Sequence, residues 1–299
     1  MTTTTFTASL AALHTAPHTG AVTSQDGTAI GYRQFGAGPG LVLVHGAMES
    51  ALSHQQLAEA MADRFTVTTY DRRGRGRSGP FGPAYTVRQE VEDLDALLTR
   101  TGAGLVFGVS AGGIIALEAA LALPAIRQVA VYEPSLMLNG SPSTAFLARY
   151  DQEITAGRLA AALVTGMQGA QMGPAILKLL PRWLLEALTS RMLAAEDKAA
   201  APDDVTIRAL APTLHYDFQL VRASDGALPR YHAIQAQVLL LGGSASPAYL
   251  QTALTALAQT LPQARHIVFP GLGHGASGNT DRGGQPARVA QALREFFVD

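Results

Sequence analysis

The sharpest chemical signal in the chain lies in nine residues, Leu105-Val106-Phe107-Gly108-Val109-Ser110-Ala111-Gly112-Gly113. A short apolar run leads into Gly-x-Ser-x-Gly, and a small-residue, helix-forming run follows. That order is the sequence form of a nucleophile elbow, in which a serine sits on a tight strand-to-helix turn with its hydroxyl exposed. Gly108 and Gly112 keep side-chain bulk away from the crowded turn. The chemistry implied is attack of Ser110 on a carbonyl. A helix N-cap serine would occupy the same place, but paired glycines and a preceding strand favour the nucleophile. A serine hydroxyl is weak at neutral pH and needs a general base within hydrogen-bond reach. Eight histidines are available. His274 stands in the glycine-rich loop Pro270-Gly271-Leu272-Gly273-His274-Gly275, which follows the last strand-like run and could bring a ring to the elbow. His14 and His18 fall near the N-terminus, His45 in a glycine-containing loop, and His54, His215 and His232 in helix-like stretches. His266 lies beside the last strand.

The elements that must position these groups follow an alternating pattern. Apolar runs of strand length alternate with helix-like segments, as in a parallel sheet with crossover helices. A hairpin-like pair over Ala21–Ser24 and Ala29–Phe35, joined by Asp26-Gly27, opens the sheet. Leu41–Val44, Phe65–Tyr70, Leu105–Val109, Ile126–Tyr132, Val238–Leu241 and His266–Phe269 read as strands. Ser53–Asp63, Val87–Arg100, Ala111–Leu123, Pro247–Leu261 and Pro286–Phe297 read as helices. Between Ser135 and His232 the alternation stops. That stretch is apolar and helical, with helices expected at Leu159–Met167, Ile176–Leu180, Trp183–Leu193 and Val205–Leu210. A helical block after the sixth strand would sit over the carboxyl ends of the strands, where open α/β sheets bind ligands. The expected organisation is therefore a loose arm over residues 1–20 with a short helix near Ala8–Leu13, a core α/β unit over 21–135, a helical lid over 136–232, and the rest of the core over 233–299.

Composition narrows the function classes. The chain has 299 residues, 47% hydrophobic and 15% charged, with a formal net charge of −1. One large domain with an insertion suits these values. Near-zero charge argues against a nucleic-acid surface; the cluster Arg72, Arg73, Arg75 and Arg77 is broken by glycines. The chain has no cysteine, which removes disulfides, thiol nucleophiles and cysteine metal sites. No apolar run approaches the roughly 20 residues that span a bilayer. The threonine-rich start carries no lysine or arginine and lacks the form of a signal peptide, so a cytoplasmic location is expected.

Four motifs in order make the chain resemble the α/β-hydrolase family: His45-Gly46-Ala47-Met48, Asp71-Arg72-Arg73-Gly74-Arg75-Gly76-Arg77-Ser78, Gly108–Gly112, and Gly271-Leu272-Gly273-His274. The resemblance runs from about residue 22 to the end. It implies an α/β-hydrolase fold, a mostly parallel, doubly wound sheet of about eight strands. It implies His274 as general base and His45 in a structural role. An oxyanion hole needs backbone N–H donors aimed at the developing charge; the resemblance places them at Ala47 and Ala111. Met48 and Glu49 fall at the pocket mouth or are ordinary loop residues. The Asp71–Ser78 loop is expected to brace its neighbours. Its arginines could also suggest phosphate binding, but the spacing matches neither the Walker nor the dinucleotide fingerprint.

The family's acid is the one departure. In most members an aspartate stands shortly after the seventh strand, where this chain reads Leu241-Gly242-Gly243-Ser244-Ala245-Ser246-Pro247. Ser246 takes the acid position and reads, with Pro247, as a helix N-cap and first helical residue. A replacement is Glu133, directly after the sixth strand in Val129-Ala130-Val131-Tyr132-Glu133-Pro134. Some family members, among them certain haloalkane dehalogenases, carry their acid there. Burying an unpaired carboxylate is costly, so an acid at that place is expected to have a partner. Asp217, Asp225 and an acid-free Ser–His dyad remain open alternatives.

The expected activity is that of a lid-bearing serine hydrolase acting on an ester, lactone or thioester of an apolar small molecule, without cofactor or metal. Leu136, Met137, Leu138, Met167, Met172 and Trp183 supply apolar surface in the lid segment. Carbon–carbon bond hydrolysis or hydroxynitrile-lyase-like chemistry on the same scaffold is the alternative within enzymes. A non-catalytic small-molecule-binding protein of the same fold is the alternative outside them. Serine at 110 disfavours dehalogenase and epoxide-hydrolase chemistry, which use an aspartate nucleophile in this family. Oligomeric state is not readable from the chain.

Overall fold

The computed structural model describes residues 17–173 and 175–298. The short helix expected near Ala8–Leu13 lies outside them. Eight strands build one sheet: β1 (His18–Thr23), β2 (Ala29–Phe35), β3 (Gly40–Val44), β4 (Thr66–Tyr70), β5 (Leu105–Val109), β6 (Gln128–Tyr132), β7 (Gln237–Gly243) and β8 (Arg265–Phe269). Their spatial order is β1-β2-β4-β3-β5-β6-β7-β8. β1–β2 and β2–β4 are antiparallel, and every pair from β4–β3 onward is parallel. β1 starts earlier than expected. Residues 18–20, read as part of a loose arm, pair with β2 from His18 opposite Gln34. Gly20 makes this possible, because a Cβ there would lie 2.6 Å from the Tyr32 ring.

Among the described residues, ten α-helices accompany the sheet: α1 (Gln55–Met61), α2 (Val87–Thr101), α3 (Ala111–Ala122), α4 (Leu147–Thr155), α5 (Leu159–Gly169), α6 (Arg182–Ala199), α7 (Ile207–Leu210), α8 (Leu214–Ala223), α9 (Ala248–Thr260) and α10 (Pro286–Val298). Strand side chains alternate between the two faces. On β5, Val106 packs with residues of α2, α3 and α9, while Leu105, Phe107 and Val109 pack with residues of α1 and α10. β5 is flanked by β3 and β6, so whatever stands at its carboxyl end is at the centre of the sheet. Among the described residues, no helix is long and apolar enough to cross a membrane.

Among the described residues, the stretch between β6 and β7 holds α4 to α8 and no strand of the sheet. Two of its helices, α4 and α8, were not expected from the sequence. Residues Ile176–Leu180, expected as a helix, fall largely in a 3₁₀ turn over Ala175–Leu179, and Val205–Leu210 contracts to α7. Ser246 does not cap the next helix. Pro247 is the N-cap residue of α9, and Ser246 Oγ is buried without a hydrogen-bond partner. Pro247 is extended there, with φ −51° and ψ 141°, so helical geometry begins one residue late.

The Asp71–Ser78 loop braces its surroundings through ion pairs. Asp71 accepts from the backbone N–H groups of Ala51 and Arg77, and lies 3.5 Å from Arg33 Nη1. Arg73 pairs with Asp93 and Asp26. Arg72, fully buried, binds Glu90 at 2.7 Å and Asp217 at 2.9 Å. Arg75 reaches both oxygens of Asp217 at 2.7 Å. Asp217 is on α8, so these bonds fasten the inserted helices to the loop after β4.

Candidate active site

Ser110 occupies the turn between β5 and α3 with φ 55° and ψ −119°. A non-glycine residue at positive φ is strained and is kept only where the surroundings impose it. Here they do. Ser110 N–H donates to Tyr132 O at 3.0 Å. A Cβ on Gly108 would lie 2.4 Å from Gly112 O, and one on Gly112 would lie 2.3 Å from Val44 O. Neither position tolerates a side chain, so the two glycines let the turn close against β3. Ala111 is the first residue of α3, and the first N–H groups of a helix have no partner within it.

Glu133 follows β6 directly, with φ 45°. Its N–H donates to Leu241 O at 2.9 Å, and Oε1 accepts from Gly243 N–H at 2.7 Å. Oε2 lies 2.8 Å from His274 Nδ1. The carboxylate is 1% exposed and the imidazole 12%. An ionised carboxylate only accepts, so Nδ1 carries the proton toward Glu133; in the neutral ring Nε2 is then the acceptor. Gly242 and Gly243 make room: a Cβ on Gly242 would lie 3.2 Å from Glu133 Oε1, and one on Gly243 would lie 2.1 Å from Leu272 O. Tyr132 Oη donates to Gly273 O at 2.9 Å and pins the histidine loop. Asp217 is committed to Arg72 and Arg75, and Asp225 is exposed beyond α8. Of the carboxylates considered from the sequence, Glu133 is the one brought to His274.

Ser110, His274, Ala47 and Ala111 line one cavity of about 320 Å³. The inserted helices supply much of its wall, including Leu163, Met167, Leu214, Phe218 and Val221. Trp183, expected to contribute apolar surface, is 70% exposed, whereas Leu136 and Met137 are in the core. A larger depression lies at the opposite end of the sheet around the loops at Gln235 and Pro262, away from these groups.

Ser135 is a neighbour that sequence reasoning missed. Its hydroxyl lies 2.9 Å from Ser110 Oγ, and its N–H donates to Ser110 O at 3.3 Å. Among the described residues, this hydroxyl contact is the one hydrogen bond of the Ser110 side chain, and none runs to His274. The signal was Ser135's place two residues after Glu133. The three-residue segment 133–135 thus touches both the serine and the histidine.

His45 is structural in its contacts. Its Nδ1 faces Gly46 O at 2.9 Å and its Nε2 accepts from Arg72 N–H at 3.1 Å. Burial, with Arg75 and Arg72 nearby, pushes its pKa well below the usual imidazole value, so the ring is neutral. Among the described residues, no group of three or more His, Asp or Glu side chains is arranged to hold a metal ion.

This fold and this cluster define a class. The model of the Alpha/beta hydrolase family matches residues 41–292, and the chain belongs to that family. Among solved structures, an alpha/beta hydrolase from Sphaerobacter thermophilus DSM 20745 is 32% identical, with a TM-score of 0.75 over 93% of this chain and 100% of that one. A hydrolase from Pseudomonas aeruginosa PA01, 21% identical with a TM-score of 0.65 over 94% of this chain and 98% of that one, shares the fold. The uncharacterized hydrolase YraK of Bacillus subtilis (strain 168) is 34% identical over 116 residues, 37% of this chain and 43% of YraK. The chain thus spans less than half the length of this curated relative.

Proposed function

We propose that the protein is a serine hydrolase that cleaves an ester, lactone or thioester of an apolar small molecule through an acyl-enzyme. Ser110 attacks the carbonyl. His274 Nε2 takes the hydroxyl proton and returns it to the leaving group, and Glu133 orients the ring and stabilises the imidazolium. The Ala47 and Ala111 N–H groups receive the oxyanion. Water, activated by the same histidine, then releases the acid. The observation that carries this reading is the 2.8 Å contact of Glu133 Oε2 with His274 Nδ1 beside a serine on a strained elbow.

The histidine must meet Ser110 Oγ for attack, and the Ser135 hydroxyl lies 2.9 Å from that oxygen. A rotation about the Ser110 side chain on substrate binding makes the exchange; such catalytic hydrogen bonds often tighten only in the complex. Residues 136–232 act as a lid in this account, because α5 and α8 wall the cavity. The wall is mainly apolar, and its one carboxylate, Asp217, is neutralised by Arg72 and Arg75. Neutral apolar acyl groups fit it better than anionic ones.

A panel of p-nitrophenyl esters tests the reading. The wild type is expected to turn over uncharged apolar esters, with a burst of p-nitrophenolate wherever deacylation is slower than acylation. Ser110→Ala is expected to lose that turnover. Full activity in Ser110→Ala, or no ester or thioester cleaved by the wild type, contradicts it.

A further inference from the structure

A second carboxylate–imidazole pair, with a buried imidazole and a partly exposed carboxylate, stands behind the loop that carries Ala47. Glu49 lies on the loop that follows His45-Gly46-Ala47-Met48, and its Oε2 accepts from Gly46 N–H at 2.6 Å. The same oxygen lies 3.0 Å from His54 Nε2. The other ring nitrogen, His54 Nδ1, lies 3.0 Å from the Ser277 carbonyl. The His54 side chain is 4% exposed. Neither partner can donate: a carbonyl oxygen only accepts, and so does an ionised carboxylate. Both ring nitrogens must therefore carry protons, and the ring is an imidazolium.

The two partners of His54 belong to different parts of the site. Gly46 immediately precedes Ala47, and a Cβ on Gly46 would lie 3.0 Å from both Glu49 Oε2 and Ser110 Cβ. Ser277 is three residues beyond His274. Asn279 strengthens the same junction, donating from Nδ2 to Leu52 O at 2.8 Å and accepting from Gln56 N–H at 3.1 Å.

We propose that His54, as an imidazolium paired with Glu49, clasps the Gly46-Ala47 loop to the loop that carries His274, and is a positioning residue for the hydrolytic reaction. The catalytic part rests on the reading of Ser110, His274 and Ala47 given above. The clasp itself does not.

The electrostatics agree with the geometry. Burial opposes the His54 cation, but the Glu49 charge and hydrogen bond raise its pKa above 6.5. Burial likewise opposes the Glu49 anion, yet the His54 charge and hydrogen bond hold its pKa at about 2. Arg282, from the 3₁₀ turn Thr280–Arg282, works against the cation.

Imidazole NMR on histidine-labelled protein tests the clasp without reference to turnover. His54 is expected to carry protons on both nitrogens at neutral pH and to titrate above an ordinary histidine. Glu49→Gln, which keeps an acceptor for Gly46 N–H but removes the charge, is expected to lower that titration. His54→Gln is expected to shift the amide signals of Gly46, Ala47 and Ser277 together. In ester hydrolysis, His54→Gln is expected to lower kcat by roughly 10- to 100-fold with KM little changed, as for a small misplacement of catalytic groups. In Glu49→Gln the alkaline limb of kcat moves to lower pH.

A neutral His54 ring in the folded wild type overturns the clasp, and so does a Glu49→Gln protein in which His54 titrates unchanged. A folded His54→Gln protein with wild-type kcat overturns the positioning role. Absence of any ester turnover in the wild type contradicts the hydrolase reading instead, and leaves the NMR outcomes to decide the clasp.

Discussion

At the scale of single residues, the site depends on where one carboxylate stands. Glu133 gives one oxygen to a backbone N–H and the other to His274. Glu133→Gln keeps the shape and one acceptor but cannot stabilise the imidazolium. Turnover of an apolar ester is expected to fall roughly 100- to 10,000-fold, with the fold retained by circular dichroism. Near wild-type kcat in that variant removes Glu133 from the reaction. Ser110, His274 and Glu133 were each legible in the sequence because a strand end fixes each position and glycines mark the turns around it. Ser135 and the Glu49–His54 pair were not. Ser135 carries only its nearness to Glu133 as a signal, and the role of the Glu49–His54 pair depends on Ser277, 223 residues from His54, which no local pattern joins to it. Position 246 shows the converse. Ser246, where the sequence resemblance expects an acid, has a buried hydroxyl without a partner, while the carboxylate that meets His274 is Glu133, at the end of β6.

At the scale of elements, the elbow and the α8 attachment carry opposite kinds of constraint. The elbow is held by the absence of side chains. Gly108→Ala puts a methyl group 2.4 Å from the Gly112 carbonyl, so β5 and α3 must separate. A loss of roughly 2 kcal/mol or more is expected, read as a lower urea midpoint, together with lost activity. The α8 attachment is held by charge. Asp217→Ala leaves two buried guanidinium groups short of their shared partner. Breaking such a buried pair costs roughly 3 to 5 kcal/mol; a urea melt within about 0.5 kcal/mol of wild type would show that α8 is held by packing alone. The sheet and its flanking helices were readable because apolar runs and helix periods survive in a buried core. α4 and α8 were hidden inside a uniformly helix-prone stretch, and they are held by long-range contacts such as Arg72–Asp217 and the edge-on Phe146–Phe218 pair.

At the scale of the whole molecule, one sheet presents a serine, a histidine and a carboxylate at its carboxyl edge, and the inserted helices help wall a mainly apolar cavity that the serine and histidine line. Stability should follow the Glu49–His54 pair at both ends of the pH range. Glu49 titrates at about 2 in the folded chain against 4.5 ordinarily; its contribution is complete above pH 4.5 and is lost as pH falls toward 2. His54 is raised above 6.5; its contribution is complete below pH 6.5 and is lost as pH rises through the folded value. Urea midpoints measured across pH should therefore be highest between those limits, and Glu49→Gln should flatten both flanks. The central claim, that Ser110 is a nucleophile driven by His274 and Glu133, is tested most directly by fluorophosphonate labelling read by peptide mass spectrometry. The account predicts one adduct, on Ser110, forming far more slowly in Glu133→Gln. An adduct on another residue, no adduct, or an unchanged rate in Glu133→Gln would contradict it.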